Sequence, residues 1–378
     1  MYPTPSAPHA GVFITRRIEA LQELGASVDA YAIIREESWL VSLFRRLVGK
    51  KTKEKFGSII KSDNVNVNYQ VIKVHLNLFE FIWNFFTHEK YYVKKEARKL
   101  NIISGDYDVV HAHWLYPNGA AVVIFAHKRR LPVMITCHGS DINRELRNPK
   151  NRAAALTALE SADSVEFVSH RLYNTSMQLG FSGQHSHILP NGIKCIPILA
   201  EKQPTIVKRV GFVGNLIPVK RVDSFPAIFS KIIAKYKNVE FFIIGDGYMR
   251  SDLEKLLKDY PVTFTGRIPQ EDVLKEMSMM DVMILPSRNE GWPCVVLEAQ
   301  SCGIQVVGSD NGGIAESIGD ERYVVPEGEN FESRFADKVI DVLSGQLSVE
   351  PQTLIERSRD FLWINLQRSE LEQYSRLR

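Results

Sequence analysis

The sequence predicts an α/β protein built as two open parallel sheets, one in each half of the chain. Three observations predict it. The 378 residues are about two and a half times a ~150-residue domain. Short β-branched runs alternate with helical patterns, the rhythm of parallel strands joined by helical crossovers. That rhythm breaks once, over NGIKCIPILAEKQPTIVK at 191–208, which supplies Gly, two prolines and charge without periodicity. A linker belongs there. The division expected is 1–190, a linker at 191–208, 209–353, and a tail at 354–378 whose apolar positions Phe361, Ile364, Leu371, Tyr374 and Leu377 read as one helix returning to the first domain.

The strands expected in order are Asp108–His113, Val133–His138 and Ser164–Ser169, then Arg209–Gly214, Glu240–Gly245, Val282–Ser287 and Ile304–Ser309. Open parallel sheets bind ligands at the carboxyl ends of their strands, so a cleft between the two halves is the default site.

Composition narrows the class. Hydrophobic residues at 44% and charged residues at 24% exclude a disordered chain. The net charge of +3 conceals a split, because residues 1–190 carry 24 Lys/Arg against 17 Asp/Glu and residues 191–378 carry 23 against 27, or +7 and −4. A basic first half suits an anionic surface, phospholipid as well as nucleic acid. Cys137, Cys195, Cys294 and Cys302 form no CxxC pair, which favours free thiols in a reducing cytosol. No apolar run approaches the ~20 residues of a membrane span, and no basic segment followed by an apolar one opens the chain.

The stretch at 284–319, ILPSRNEGWPCVVLEAQSCGIQVVGSDNGGIAESIG, carries the most chemistry. A strand ends at Ser287, a turn holds Glu290, Gly291 and Trp292, and Pro293 sits where a helix begins, since its missing N–H costs nothing there. The amides of Cys294, Val295 and Val296 would then form an anion site at a helix N-terminus. Glu290 and Glu298, eight residues apart, bracket it, an arrangement suited to a ligand half phosphate and half polyol, such as a nucleotide sugar. Two solvated glutamates on an ordinary βα unit would read the same way. VGFVGNLIPVKRVD (210–223) places Lys220 where it can hold a diphosphate as it departs, or where it is simply solvated. IIGDGYM (243–249) and FTGRIPQEDV (264–273) add two strand-to-Gly loops on the same edge, where Gly admits close backbone approach to a ligand.

In the first half, Gly11 precedes an amphipathic helix. VHAHWLYPNG sets His111 and His113 on one face of a strand end, and ITCHGSD ends a second strand in His138, Gly139, Ser140 and Asp141. Three histidines raise the question of zinc, but no third and fourth ligand stands at the usual spacing. Contact with sugar hydroxyls or an acceptor is the reading preferred.

These motifs, in order along nearly the whole chain, resemble those of a family 4 retaining glycosyltransferase of bacterial surface-polysaccharide type. They run YPTP, GVFI, IEAL, DVVHAHWLYPNG, ITCHGSDI, LPNGI, VGNL…K, IIGDG, TGRIPQEDV, LPSRNEGWPCVVLEAQSCG and NGGIAESI. The resemblance implies the GT-B architecture, two Rossmann-like domains facing across a cleft, with the acceptor on the first and a nucleotide sugar, UDP- or GDP-linked, on the second. It implies that Glu290 contacts the donor sugar or organises the reacting centre and that Glu298 binds the ribose. It further implies that Lys220, with Gly11 and the amides after Gly291, holds the diphosphate, that Gly266, Arg267 and Ile268 flank the base, and that His138 sits at the donor sugar. His111, His113, Ser140 and Asp141 become acceptor-side candidates. Transfer with retention by front-face attack, without metal or other cofactor, is what the family implies. It asks for stabilised phosphate charge and a positioned acceptor rather than an enzyme base.

Two departures from the family pattern bear on this. Asn215 stands where many relatives carry arginine, and Arg221, where glycine is common, is the candidate to replace that charge. The family also begins with a β-strand before the turn at Tyr2 and Pro3, whereas Met1 precedes that turn here. The expectation is a start upstream of Met1, or a first sheet short of one strand and less stable for it. Another GT-B activity, such as nucleotide-sugar epimerisation, and a non-catalytic nucleotide-sugar-binding subunit are the alternatives.

The basic stretch at 41–61 and the aromatic one at 76–95 admit two readings: an interfacial surface for an anionic membrane at the cytoplasmic leaflet, or a helix pair packed on the sheet with a solvated basic face. Lipid-linked acceptors, common in the family, connect the first reading to the chemistry. Nucleic acid is not expected as a partner, and oligomeric state is not written in the sequence.

Overall fold

A computed structural model describes residues 11–47, 69–87, 89–198 and 205–378. The chain divides into two compact units, one formed by Met1–Pro190 with Trp363–Arg378, the other by Asn191–Leu362.

In the first unit, α1 (Val12–Glu23) leads through a turn into β1 (Ala30–Glu37), then α2 (Trp39–Leu47), β2 (Tyr69–Leu76), α3 (Leu78–Phe86) and α4 (Lys90–Leu100). There follow β3 (Val110–His113), α5 (Ala120–Arg129), β4 (Val133–Cys137), α6 (Pro149–Glu160), β5 (Ser164–Phe167), α7 (His170–Gln178) and β6 (Ser186–Ile188). Local chemistry sets the helix starts. Asn77 and Glu80 form a reciprocal capping box at α3, Asn148 caps α6 ahead of Pro149, and the Ser169 hydroxyl accepts the Leu172 amide at α7. All strand pairings are parallel, but they form two separate sheets, β1–β2 and β3–β4–β5–β6. β4 is buried at every position, as a strand covered on both faces must be.

The second unit holds β7 (Lys208–Val213), α8 (Phe225–Lys235), β8 (Val239–Ile244), α9 (Arg250–Leu256), β9 (Val262–Gly266), α10 (Gln270–Ser278), β10 (Val282–Leu285), α11 (Cys294–Ser301), β11 (Val306–Ser309), α12 (Ile314–Ile318), β12 (Val324–Val325), α13 (Phe331–Leu343) and α14 (Pro351–Arg359). Its strands make one parallel sheet in the order β12-β11-β10-β7-β8-β9. A stack of Phe212, Phe225, Phe229 and Phe241 fills the space beneath β7 and β8. The strand order reverses at β7 and β10, and loops after both carry predicted site residues.

Several expectations need correction. β1 and β2 were not anticipated, because AYAIIREE and YQVIKVHL mix apolar with charged residues and each is buried along one face. The tail is not one helix. It breaks at 360–362, where Ile193 N–H donates to the Phe361 carbonyl at 2.9 Å and Ile193 pairs with Leu362. Thus α14 belongs to the second unit, and α15 (Trp363–Leu377) alone packs on α1. Ile193 is itself buried, so the stretch expected as linker begins with residues fixed to the second unit; 199–204 of that stretch lie outside the described residues. Pro293 caps α11 rather than opening it.

One buried network ties the first unit together. Arg17 on α1, 1% exposed, donates to Glu166 on β5 and to Glu370 on α15, the latter at 2.7 Å, and both carboxylates are fully buried. Burial alone would push Glu370 up, but the Arg17 charge and His111 outweigh it and hold it well below the usual carboxylate range.

Candidate active site

The carboxyl edge of the second sheet brings Lys220 and Glu290 together. Lys220 ends a short 3-10 turn from Pro218, and its Nζ lies 2.5 Å from Glu290 Oε1, each side chain 16% exposed. Arg288, which the sequence reading passed over, builds this geometry. Its backbone N–H donates to the Val219 carbonyl at 2.7 Å, its guanidinium donates to the Pro218 carbonyl, and it holds Asp223 through both carboxylate oxygens at 2.8 and 2.7 Å. The loop after β7 is thereby stitched to the loop after β10.

The Glu290 loop is fixed from its other side. Gly313 N–H donates to the Glu290 carbonyl at 2.9 Å, and Ser309 Oγ and Asn311 Nδ2 both donate to the Ser287 carbonyl. Gly312 has φ +62, and a Cβ there would sit 1.8 Å from the Glu290 carbonyl oxygen, so no other residue fits without displacing the loop. The motif NGG was legible, but its mechanical role was not.

Glu298 lies on α11, eight residues beyond Glu290, and accepts a hydrogen bond from Gln270 Nε2 at 2.9 Å. Burial raises its carboxyl above the ordinary range, with the Gln270 bond opposing. Cys294, beside it, has a thiol pushed up to about 12 by burial and by the Glu298 charge, which removes it as a nucleophile. Of the three amides expected to face an anion, that of Val296 is already taken by the Pro293 carbonyl at 3.0 Å; Cys294 and Val295 are half-buried at the helix start, beside Gly291. Trp292 packs its ring on Phe361.

Arg221, the candidate for the missing arginine's charge, already has partners. It is buried, lies 4.0 Å over the Phe331 ring and is paired with Glu327. Asn215 is exposed. The Gly loops also differ from expectation: a Cβ on Gly245 would strike the Gly214 carbonyl and one on Gly247 the Leu216 carbonyl, at 2.0 and 2.3 Å. These glycines let neighbouring loops touch each other. At the β9 end, Gly266 has φ +71 beneath the Arg250 guanidinium, Arg267 is exposed and Ile268 packs on the core.

In the first unit, Gly11 caps α1 in the left-handed region with φ 68. His138 lies against Phe13 and Trp114, and its Nε2 is 3.0 Å from His113 Nδ1 while its own Nδ1 is buried without a partner. Burial, then neighbouring positive charge, drives both His113 and His138 well below the ordinary histidine range, so both are neutral. Two acceptor-side candidates turn out to be internal. His111 is bonded through Nδ1 to Tyr374 and through Nε2 to Thr136, each at 2.6 Å. Asp141 is buried, its carboxylate accepting the amides of His138, Gly139 and Ile142. Ser140 is exposed.

Comparison with known proteins now settles the family. The model described as Glycosyltransferase Family 4 matches residues 11–195, and that described as Glycosyl transferases group 1 matches 207–345. The chain belongs to the family 4 glycosyltransferases. It is 27% identical over 340 residues to a putative teichuronic acid biosynthesis glycosyltransferase of Bacillus subtilis, covering 86% of this chain and 83% of the relative. It is 27% identical over 258 residues to the N-acetyl-α-D-glucosaminyl L-malate synthase of Bacillus anthracis, covering 63% and 66%. Among solved structures, Anabaena HepE in complex with UDP superposes with a TM-score of 0.69 at 16% identity, covering 97% and 96%. The lipopolysaccharide outer core galactosyltransferase WaaB superposes at 0.66 and 17%, covering 91% and 98%. The protein has the GT-B fold and is a glycosyltransferase related to enzymes of surface polymers. No helix among the described residues is long and apolar enough to cross a membrane.

Proposed function

We propose that this glycosyltransferase moves a sugar, with retention of configuration, from a UDP- or GDP-sugar to a lipid-linked glycan acceptor in cell-surface polysaccharide synthesis, working at an anionic membrane face. The observation that carries the donor half is the half-buried Lys220–Glu290 pair at the carboxyl edge of the second sheet. A cation there meets developing diphosphate charge, which is where electrostatic stabilisation lowers the barrier most. Glu290, released from Lys220 by the phosphates, is left to face the sugar, and Glu298 keeps Oε2 for a ribose hydroxyl while Gln270 engages Oε1. The neutral His138 is suited to a sugar hydroxyl through its unpartnered Nδ1. HepE, which shares the fold, is solved in complex with UDP, and a Corynebacterium glutamicum relative, 25% identical over 233 residues, is a GDP-mannose-dependent monoacylated α-(1-6)-phosphatidylinositol monomannoside mannosyltransferase.

The membrane half rests on α2 and α3. Trp39, Leu43 and Leu47 on α2 and Phe79, Trp83 and Phe86 on α3 are exposed, the helices meet through Phe44 and Phe81, and Arg45 and Arg46 close the last turn of α2. Aromatic exposure on this scale fits an interface rather than a helix pair packed on the sheet. The lysines at 50–55 and 61 of the same basic stretch lie outside the described residues.

A thermal-shift screen against UDP, GDP, ADP, CMP and their sugar conjugates tests the donor reading, since a ligand that binds the folded state stabilises it. A rise confined to UDP or GDP species and absent in Lys220→Ala is expected. No rise with any nucleotide refutes it. Product formed only when a lipid-linked sugar acceptor is added, with its anomeric configuration read by NMR, separates transfer from epimerisation and from a non-catalytic role.

A further inference from the structure

The His138 ring is held by three other rings of the first unit. It lies against Phe13 and Trp114, with centroids 4.8 and 5.0 Å away, and its Nε2 stands 3.0 Å from His113 Nδ1. Trp114 reaches this place with φ 68, a region that a bulky residue enters at a cost, and such strain gathers where a structure positions a functional group. His113 is fixed in turn. It stacks on His111 with centroids 4.5 Å apart. His111 is pinned by Tyr374 and Thr136 at 2.6 Å each and by Glu370 at 3.0 Å, the carboxylate that Arg17 holds. The ring partner of His138 is thus anchored to the buried network that joins α1, β4, β5 and α15.

A hydrogen bond between two neutral imidazoles needs an N–H on one ring and a lone pair on the other, and each ring carries a single proton. Burial and nearby positive charge keep both rings neutral, so two arrangements exist. In the first, His113 donates from Nδ1 and His138 carries its proton on Nδ1. That nitrogen is buried without a partner, and a buried N–H without an acceptor costs its full desolvation, which makes orphaned donors rarer than orphaned acceptors. In the second, His138 donates from Nε2 to His113 Nδ1. The His113 proton then sits on Nε2, which is not among the closed-off atoms lacking a partner; His113 borders a cavity of about 200 Å³, room enough for water. The second arrangement strands no donor.

We infer that His113 is a positioning residue: by accepting the Nε2 proton of His138, it fixes that ring as the tautomer whose Nδ1 lone pair accepts a ligand hydroxyl. His113 acts through His138 and need not touch the substrate. A His138 ring free to change tautomer would present N–H to the same hydroxyl part of the time and turn the hydroxyl's own proton elsewhere. The inference rests on the reading of His138 as facing a sugar hydroxyl, and its test separates the two.

Nitrogen NMR of protein labelled at histidine, with His138→Gln to assign the signals, reads the tautomer in the free protein. The parent is expected to show His138 protonated at Nε2 and bare at Nδ1. In His113→Ala the two forms should mix, and acceptor-dependent kcat should fall roughly tenfold or more while nucleotide affinity stays within about twofold. Asn places Oδ1 near the position of Nδ1 and can accept the same N–H, so His113→Asn should restore the tautomer and bring turnover to within about threefold of the parent. A parent His138 protonated at Nδ1 overturns the inference. So does parent-like turnover in His113→Ala beside an impaired His138→Gln, or an Asn variant that regains the tautomer and stays as slow as the Ala variant. Should His138→Gln itself turn over like the parent, the sugar-facing reading fails and the positioning role falls with it.

Discussion

Lys220→Ala isolates the charge on which the donor reading depends. Two unit charges about 4 Å apart are worth about 4 kcal/mol at an effective dielectric near 20, and desolvation and side-chain ordering reduce a charged hydrogen bond to about 1.5–3 kcal/mol net. In the free protein Lys220 is already spent on Glu290 at 2.5 Å, so binding a diphosphate exchanges one partner for another. Removing Lys220 deletes the attraction and leaves Glu290 facing the phosphates unopposed. The expected loss is about 2 kcal/mol, or roughly 30-fold in the affinity of UDP or GDP. Glu290→Gln works in the opposite sense, because it removes the competitor for Lys220; nucleotide affinity should rise severalfold while turnover falls. Isothermal titration calorimetry with UDP and GDP, beside acceptor-dependent turnover, measures both. Lys220→Ala within twofold of the parent affinity, or Glu290→Gln weakening the nucleotide as much as Lys220→Ala does, refutes the reasoning.

Three further outcomes are expected. Arg17→Met leaves two buried carboxylates without their cation and should cost about 3–5 kcal/mol, about 10 °C in Tm. Glu370, held low in the parent, contributes stability that is present above the ordinary glutamate pKa and lost as pH falls through its depressed folded value; without Arg17 burial raises it, so the Tm gap between parent and variant should widen from pH 4 to pH 7, and a constant gap in a pH series of melts contradicts this. Gly312→Ala forces a Cβ against the Glu290 carbonyl and should reduce kcat roughly tenfold or more in a protein that still folds, an outcome that kinetics and melting check together. The double variant Phe79→Ser with Trp83→Ser, at positions 75% and 51% exposed, should leave Tm nearly unchanged and sharply reduce co-sedimentation with anionic liposomes at low salt; undiminished binding removes α3 from the membrane reading.

The strands legible in the sequence were those buried on both faces, such as VMITC and VMIL, where a short apolar run admits little else. β1 and β2 escaped because each is buried along one face and carries charge on the other, a pattern without turn signals to frame it. At the candidate site, Lys220, Glu290 and Glu298 were recognisable from their place after predicted strands. Arg288, Gln270 and Gly312 were not, since what they do is defined by partners 65, 28 and 22 residues away in the chain. The same distance hid other partners. Tyr374 and Thr136 beside His111, and three amides around Asp141, are visible in three dimensions alone, and Glu327 meets Arg221 from 106 residues on.

The Arg17–Glu370 bond spans 353 residues, and this imposes an order on synthesis. A ribosome adding roughly 5–20 residues per second exposes α1 and the strands of the first unit early, yet α15, which covers Ala20 and Leu189 with Trp363 and Leu366, leaves the tunnel after the whole of the second unit. The second unit, contiguous from Asn191 to Leu362, has all of its residues in hand while the first still waits for its closing helix. The unit begun first is therefore finished after the second, and a frameshift or truncation within residues 363–378 would declare itself as a defect near residue 17.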